Sequence, residues 1–242
     1  MGGLSEVESI FESVYDLWMD DAQAYLDWAD FYHRHVDDGR SVLELACGTG
    51  NMTQLIAPST KHYVASDLSQ AMLKQAQQKV PQHVELQQLD MRDFKLDASF
   101  DAIICAADSI NFNQDLPQLR QTMHCVAQHL KEGGFFVFDV HHPERLNMFK
   151  QAYIEVGQLN DLDYQYMLTS HGMMLLHEFH WYTGVYPQVE SYQQRIFSEV
   201  ELKAVFKPPH WELYVENENR EPGFSFGEKW LICAKYKGGL TI

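Results

Sequence analysis

Short apolar runs separated by amphipathic stretches set the pattern between residues 42 and 140. Val42, Leu43 and Leu45 suit a short buried strand, and the small residues Ala46 to Gly50 end it in a tight turn before a helix over Met52 to Ile56. Tyr63 to Ser66, Val84 to Leu89, Phe100 to Ala107 and Phe135 to Val140 read as four further strands. The near-continuous apolar run Phe100 to Ala107 is what a central parallel strand covered on both faces requires. Helices fit between them: Gln70 to Lys79, amphipathic through Ala71, Met72 and Ala76, and Leu116 to Leu130, closed by Gly133-Gly134. Ahead of the first strand, residues 5–36 read as two helices broken at Asp20-Asp21. Val7, Ile10, Phe11, Val14, Leu17 and Trp18 share one face of the first, and Tyr25, Trp28, Phe31 and Tyr32 one face of the second. Five strands alternating with helices place the chain in the α/β class.

After His141-His142-Pro143 the period changes. Residues 163–170, 173–183 and 188–197 read as three strands of an antiparallel insertion spanning about 145–197. Ser198 and Glu201 form a capping box for a helix over Glu199 to Phe206, and Trp211 to Val215 and Lys229 to Tyr236 supply two last strands. No internal repeat or low-complexity linker divides the chain, so residues 1–242 read as one domain with an insertion.

Composition narrows the partners. A formal charge of −16 opposes a phosphate-coated surface, which excludes nucleic acid and an anionic membrane as expected partners. No apolar run reaches membrane-spanning length, and the expectation is a soluble cytoplasmic protein. Cys47, Cys105, Cys125 and Cys233 are scattered among apolar residues without a Cys-x-x-Cys pair, as free thiols in a reducing compartment would be.

Chemistry concentrates after the first strand. A dinucleotide fingerprint needs a third glycine where Thr53 stands, and no Gly-Lys-Ser/Thr ending forms a P-loop. Glu44 followed by Ala46, Gly48 and Gly50 resembles instead the first motif of the class I S-adenosylmethionine-dependent methyltransferases, with Ala46 where many members have glycine. The resemblance covers about residues 5–140 and 195–237. It implies a Rossmann-like, seven-stranded, mostly parallel sheet; the antiparallel insertion after the fifth strand lies outside the resemblance. It also implies S-adenosylmethionine as cofactor and methyl transfer to a small-molecule acceptor. A bare glycine turn joining strand to helix is the alternative reading of the motif.

Further cofactor residues follow from position and resemblance. Asp67, at the end of the second strand and about twenty residues past the glycine loop, suits the ribose diol, or else it or Ser69 caps the next helix; Leu68 goes with it. The resemblance gives Asp90 and the backbone of Met91 to the adenine, Ala106 to the cofactor, and Tyr15 and Tyr25 to a helical lid over it. An aspartate-rich surface turn would also explain Asp90.

For the acceptor, Asp108, His141 and His142 stand at strand ends as candidate bases, and Ser109 and Asn111 follow the fourth strand. Tyr192 and Arg195 belong to the insertion, which either walls the acceptor site, with Arg195 on a substrate carboxylate, or forms a homodimer surface or a small second core. His177 and His180 fall on opposite faces of one strand, so no metal is expected. Two other functions stay open: a protein that binds S-adenosylmethionine without catalysis, and a nicotinamide-dependent oxidoreductase, which the missing third glycine opposes.

Overall fold

The computed structural model describes residues 9–36 and 39–239. Residues 5–8, assigned above to the first helix, lie outside them. Seven strands form one sheet in the order β10-β11-β5-β4-β1-β2-β3. They are β1 Ser41–Leu45, β2 His62–Asp67, β3 Val84–Gln88, β4 Phe100–Cys105, β5 Leu130–His141, β10 Trp211–Asn217 and β11 Lys229–Tyr236. β1 to β5 are parallel, while β11 runs antiparallel to both β5 and β10. Strand order reverses between β1 and β4, and a crevice opens at the carboxyl ends of the strands at such a point.

Helices cover both faces because the central strands are apolar on both. Leu43, Leu45, Ile103, Phe136 and Phe138 face one core with α5 (Leu116–His129) and α7 (Glu199–Val205). Val42, Tyr63, Ala102, Ile104 and Val137 face another with α2 (Ala22–His33) and α3 (Asn51–Ile56). The helix boundaries follow their caps. Asp21, half of the expected acidic break, accepts from Ala24 N at 2.9 Å and starts α2. Ser198 and Glu201 form the expected capping box. Ser69 caps α4 (Gln70–Ala76), which ends three residues before the expected Lys79. The chain passes from His129 straight into β5 at Leu130, so Gly133-Gly134 lie inside the strand instead of ending a helix.

The second sheet is antiparallel, in the order β6-β7-β8-β9: Tyr153–Leu159, Leu162–His171, Met174–Tyr182 and Gln188–Arg195. Three of these strands match the sequence pattern, and β6 is additional. Its Tyr153, Ile154 and Val156 are exposed on an edge strand, so it lacks the buried alternation that marks a strand in sequence. A short helix, α6 (Glu144–Met148), joins β5 to this sheet, and Ser170 ties it to β7 by donating Oγ to Leu146 O at 2.6 Å.

α1 (Ile10–Trp18) is fastened to both sheets. Glu190 on β9 accepts from Ile10 N at 2.7 Å and Phe11 N at 3.0 Å, placing a carboxylate on the free amides of the helix start. Phe11 and Trp18 pack on Phe179 with ring centroids 4.7 and 5.1 Å away. On the other side Asp16 accepts from Thr49 Oγ1 at 2.6 Å and from Lys79 Nζ at 2.7 Å. No helix among the described residues is long and apolar enough to cross a membrane.

Candidate active site

The loop after β1 turns on three left-handed residues, Ala46, Gly48 and Gly50, with φ of 54°, 56° and 83°. The two glycines do different work. A Cβ on Gly50 would meet Val80 Cγ1 at 2.7 Å and Ala76 Cβ at 3.2 Å, so Gly50 lets the loop pack against α4. A Cβ on Gly48 would meet nothing within 4 Å, and its open side belongs to a narrow cavity at the strand ends. Ala46 holds an angle that disfavours an L side chain by about 1–2 kcal/mol, the physical reason a glycine suits this position.

Tyr15, Tyr25, Glu44, Ala46, Gly48, Ala106 and Ser109, seven of the expected residues, line this cavity together. Tyr15 and Tyr25 reach it from α1 and α2, and burial raises both phenols above their ordinary range. Glu44 is buried on β1, where its Oε2 accepts from Thr53 Oγ1 at 2.6 Å and Tyr63 Oη at 2.8 Å. Burial outweighs these donors and lifts the carboxyl to about 7. A carboxyl raised from 4.5 stabilises the fold fully below 4.5, and that contribution fades as pH rises through 7. Glu44→Gln is therefore expected to flatten a fall in stability on the order of 3 kcal/mol between pH 5 and 8, read by urea unfolding. A parent and variant with parallel pH curves would refute this.

Asp67 adjoins the cavity through Gly48, whose N–H donates to its Oδ2 at 2.8 Å; Ser69 N donates to Oδ1 at the same distance. The helix cap is Ser69, so Asp67 is not the capping residue. Burial raises its carboxyl, and the two amides oppose the rise. Leu68 beside it is 60% exposed. Asp90 and Met91 stand outside the cavity lining: Arg92 grips the Asp90 carboxylate with Nε and Nη2 at 2.9 and 2.7 Å, and Met91 packs on the α5 core.

Next to Ser109 the carboxyl ends of β4 and β5 carry a buried polar network. Lys229 Nζ donates to Asp108 Oδ2 at 2.9 Å and Asp139 Oδ2 at 2.7 Å, and lies 4.4 Å from the Trp28 ring. Tyr32 Oη donates to Asp139 Oδ1 at 2.7 Å. Burial would raise the Asp108 carboxyl, but His141 and Lys229 outweigh it and hold it well below the usual range. His141 Nδ1 stands 3.2 Å from Asp108 Oδ1, out of line for a hydrogen bond, and Nε2 meets Gln194 Oε1 at 2.9 Å. Burial lowers this imidazole to about 4. Neither group has the basicity of a general base near neutrality. What they offer are two buried acceptor atoms, Asp108 Oδ1 and His141 Nδ1, that have no hydrogen-bond partner among the described residues.

Tyr32, Asp139, Gln194 and Lys229 did not stand out in sequence, since each reads alone as an ordinary helix or strand residue. Other expected residues are drawn elsewhere. His142 Nδ1 accepts from Glu144 N at 3.0 Å and its ring packs on Trp230, away from Asp108. Asn111 binds backbone on both sides, donating to Arg195 O at 2.6 Å and accepting from His141 N at 3.1 Å. Tyr192 packs on Phe11 of α1. Arg195 faces away from the network: it donates to Glu201 Oε1 at 2.7 Å and covers Phe197, because alternation along β9 sends Gln194 inward instead. No three potential metal ligands gather among the described residues, and all four cysteines are buried free thiols.

Residues 42–134 match the family described as a methyltransferase domain. YqeM of Bacillus subtilis (strain 168) is 30% identical over 213 residues, covering 84% of this chain and 86% of that protein. The dTDP-3-amino-3,4,6-trideoxy-alpha-D-glucopyranose N,N-dimethyltransferase of Streptomyces venezuelae is 30% identical over 131 residues, 52% of this chain and 55% of its own. Among solved structures, an S-adenosylmethionine-dependent methyltransferase from Clostridium acetobutylicum ATCC 824 superposes with a TM-score of 0.77 at 25% identity, covering 94% of this chain and 98% of that one. With its sheet order, glycine loop and cavity, this chain belongs to the class I S-adenosylmethionine-dependent methyltransferases.

Proposed function

We propose that the protein methylates a small-molecule acceptor, with α1 and α2 as a lid over the cofactor and β6 to β9 as an insertion within one domain. The observation that carries this is the cavity beside Gly48, framed by a buried glutamate, an amide-oriented aspartate and two tyrosines at the switch point of the sheet. These groups suit S-adenosylmethionine. Glu44 answers its cationic end, Gly48 gives the backbone clearance, Asp67 takes the ribose hydroxyls, and Tyr15 and Tyr25 cover the amino-acid part. The exposed Leu68 offers an apolar surface for the purine, with Asp90 and Met91 at its outer edge.

When bound, the cofactor supplies a methyl group on a sulfonium: the acceptor's lone pair forms the new bond as the carbon–sulfur bond breaks, and the sulfur keeps that electron pair. The protein's part is alignment and dryness. Asp108 Oδ1 and His141 Nδ1 can each accept from an amine or hydroxyl on the acceptor, fixing its lone pair toward the cofactor; the acceptor's proton then leaves to solvent. The relative from Streptomyces venezuelae is named as an amino-sugar N,N-dimethyltransferase, which supports a small molecule with an amine as the class to try first. The strongly acidic surface argues against polyanionic partners, and the free thiols suit the cytoplasm.

Calorimetry with S-adenosylmethionine, followed by labelled-methyl transfer onto amino sugars and other small amines and alcohols, tests the reading. One-to-one binding with transfer is expected. No heat would sink it, and binding without transfer to any acceptor would favour the non-catalytic reading instead.

A further inference from the structure

Among the described residues two buried donors make no hydrogen bond, and both lie near Asp108 Oδ1 and His141 Nδ1, the two acceptor atoms that make none either. One is Arg145 Nε on α6. Arg34, Arg92, Arg195 and Arg220 each pair with a carboxylate, yet among the described residues Arg145 has none, in a chain carrying 34 acidic side chains. Its guanidinium lies over Phe149 at 5.1 Å instead. The other is Nε2 of His177 on β8. Tyr166 Oη sits 2.8 Å from His177 Nδ1; with the phenol donating, the imidazole carries its proton on Nε2 and presents it as a donor.

Both stand on elements packed around Tyr166: Phe149, under the guanidinium, meets the Tyr153 ring at 6.4 Å, and Tyr153 meets Tyr166, the partner of His177, at 6.3 Å. His141, Arg145 and Asp108 all lie close enough to act electrostatically on His177, and the Gln194 side chain borders the same imidazole. Gln194 fastens this face of the small sheet to His141 and to Asp108 O. The Glu155 carboxylate on the same face is occupied by the hydroxyls of Tyr153 and Tyr164. Buried polar groups in folded proteins are nearly always satisfied, and an unmatched guanidinium with an imidazole N–H is a binding set for an anion.

We propose that the acceptor carries an anionic group, a carboxylate or a phosphate, held by Arg145 and His177, while its amine or hydroxyl meets Asp108 and His141. This rests on the methyl-transfer reading above. Such a molecule would satisfy all four orphaned atoms at once, and it sets the acceptor apart from neutral amines of the same shape.

The test uses the full chain saturated with S-adenosylhomocysteine and titrated calorimetrically with inorganic phosphate and, separately, with acetate at constant ionic strength. The parent is expected to bind at least one of them, and which one identifies the group. Arg145→Ala should weaken that binding by about tenfold or more, and Arg145→Lys by less, because a point charge replaces a two-pronged donor. His177→Phe should weaken it about three- to tenfold through loss of one hydrogen bond. In each variant the affinity for S-adenosylhomocysteine should stay within about twofold, which also reports an intact fold. Neither anion binding to the loaded parent, or Arg145→Ala binding as the parent does, would overturn the proposal. Failure of the parent to bind S-adenosylhomocysteine would remove the methyl-transfer reading, and this one with it.

Discussion

Alanine in place of Asp67 is expected to weaken S-adenosylmethionine binding by about 10²–10⁴-fold, from two lost charge-assisted hydrogen bonds worth about 1.5–3 kcal/mol each. Backbone amides hold the carboxylate at both oxygens. Gly48 N and Ser69 N each donate to one of its oxygens at 2.8 Å, so both oxygens are fixed and each keeps a lone pair for one hydroxyl of a diol. Asp67→Asn is informative for the same reason. Its amide nitrogen would face one of those backbone N–H groups, donor against donor, so the variant should fall well below the parent despite its matching shape. Calorimetry reads both variants directly. A dissociation constant within about threefold of the parent for Asp67→Ala would show that the sugar is held elsewhere.

Lys229→Met should lower the melting temperature by about 6–20 °C. The ammonium is the shared counter-charge for Asp108 and Asp139, and breaking a buried pair by removing one partner costs about 3–5 kcal/mol, each worth about 2–4 °C at this chain length. Burial works against the charge on Lys229, but the two carboxylates outweigh it and raise its pKa. Without it, burial and mutual repulsion raise both carboxyls above their unfolded values. Their contribution is then present at low pH and lost as pH climbs, so the deficit should be larger at pH 8 than at pH 5. Adding Asp139→Asn should recover part of it. A melting temperature unchanged at both pH values would mean that the network is not what holds the carboxyl ends of β4 and β5 together.

The parallel sheet was legible because its signals are local. Phe100 to Cys105 is apolar on both faces, and the glycine loop, the acidic residue at the end of β1 and the one at the end of β2 follow in fixed order along the chain. Glu44, Ala46 and Gly48 line the cavity and Asp67 adjoins it through Gly48, whereas the clearance at Gly50 serves α4. The buried polar network was less legible because its members are assembled across elements. Tyr32, Asp108, Asp139, Gln194 and Lys229 come from one helix, one loop and three strands, and no spacing links them. Arg195 drew attention through its charge, yet a strand gives adjacent residues opposite faces. The register of β9 turned the uncharged neighbour toward the site.

The fastening of α1 also fixes an order of assembly. Its first turn is sealed by Glu190 and its apolar stripe by Phe179 and Tyr192, partners that lie about 170–180 positions further along the chain. A nine-residue helix is too short to persist alone in water, so this segment acquires its shape only after β8 and β9, which follow it in the chain, exist to receive it. A stretch that precedes both sheets along the chain is thus among the last to settle, and the cavity that Tyr15 borders stays open to solvent until it does.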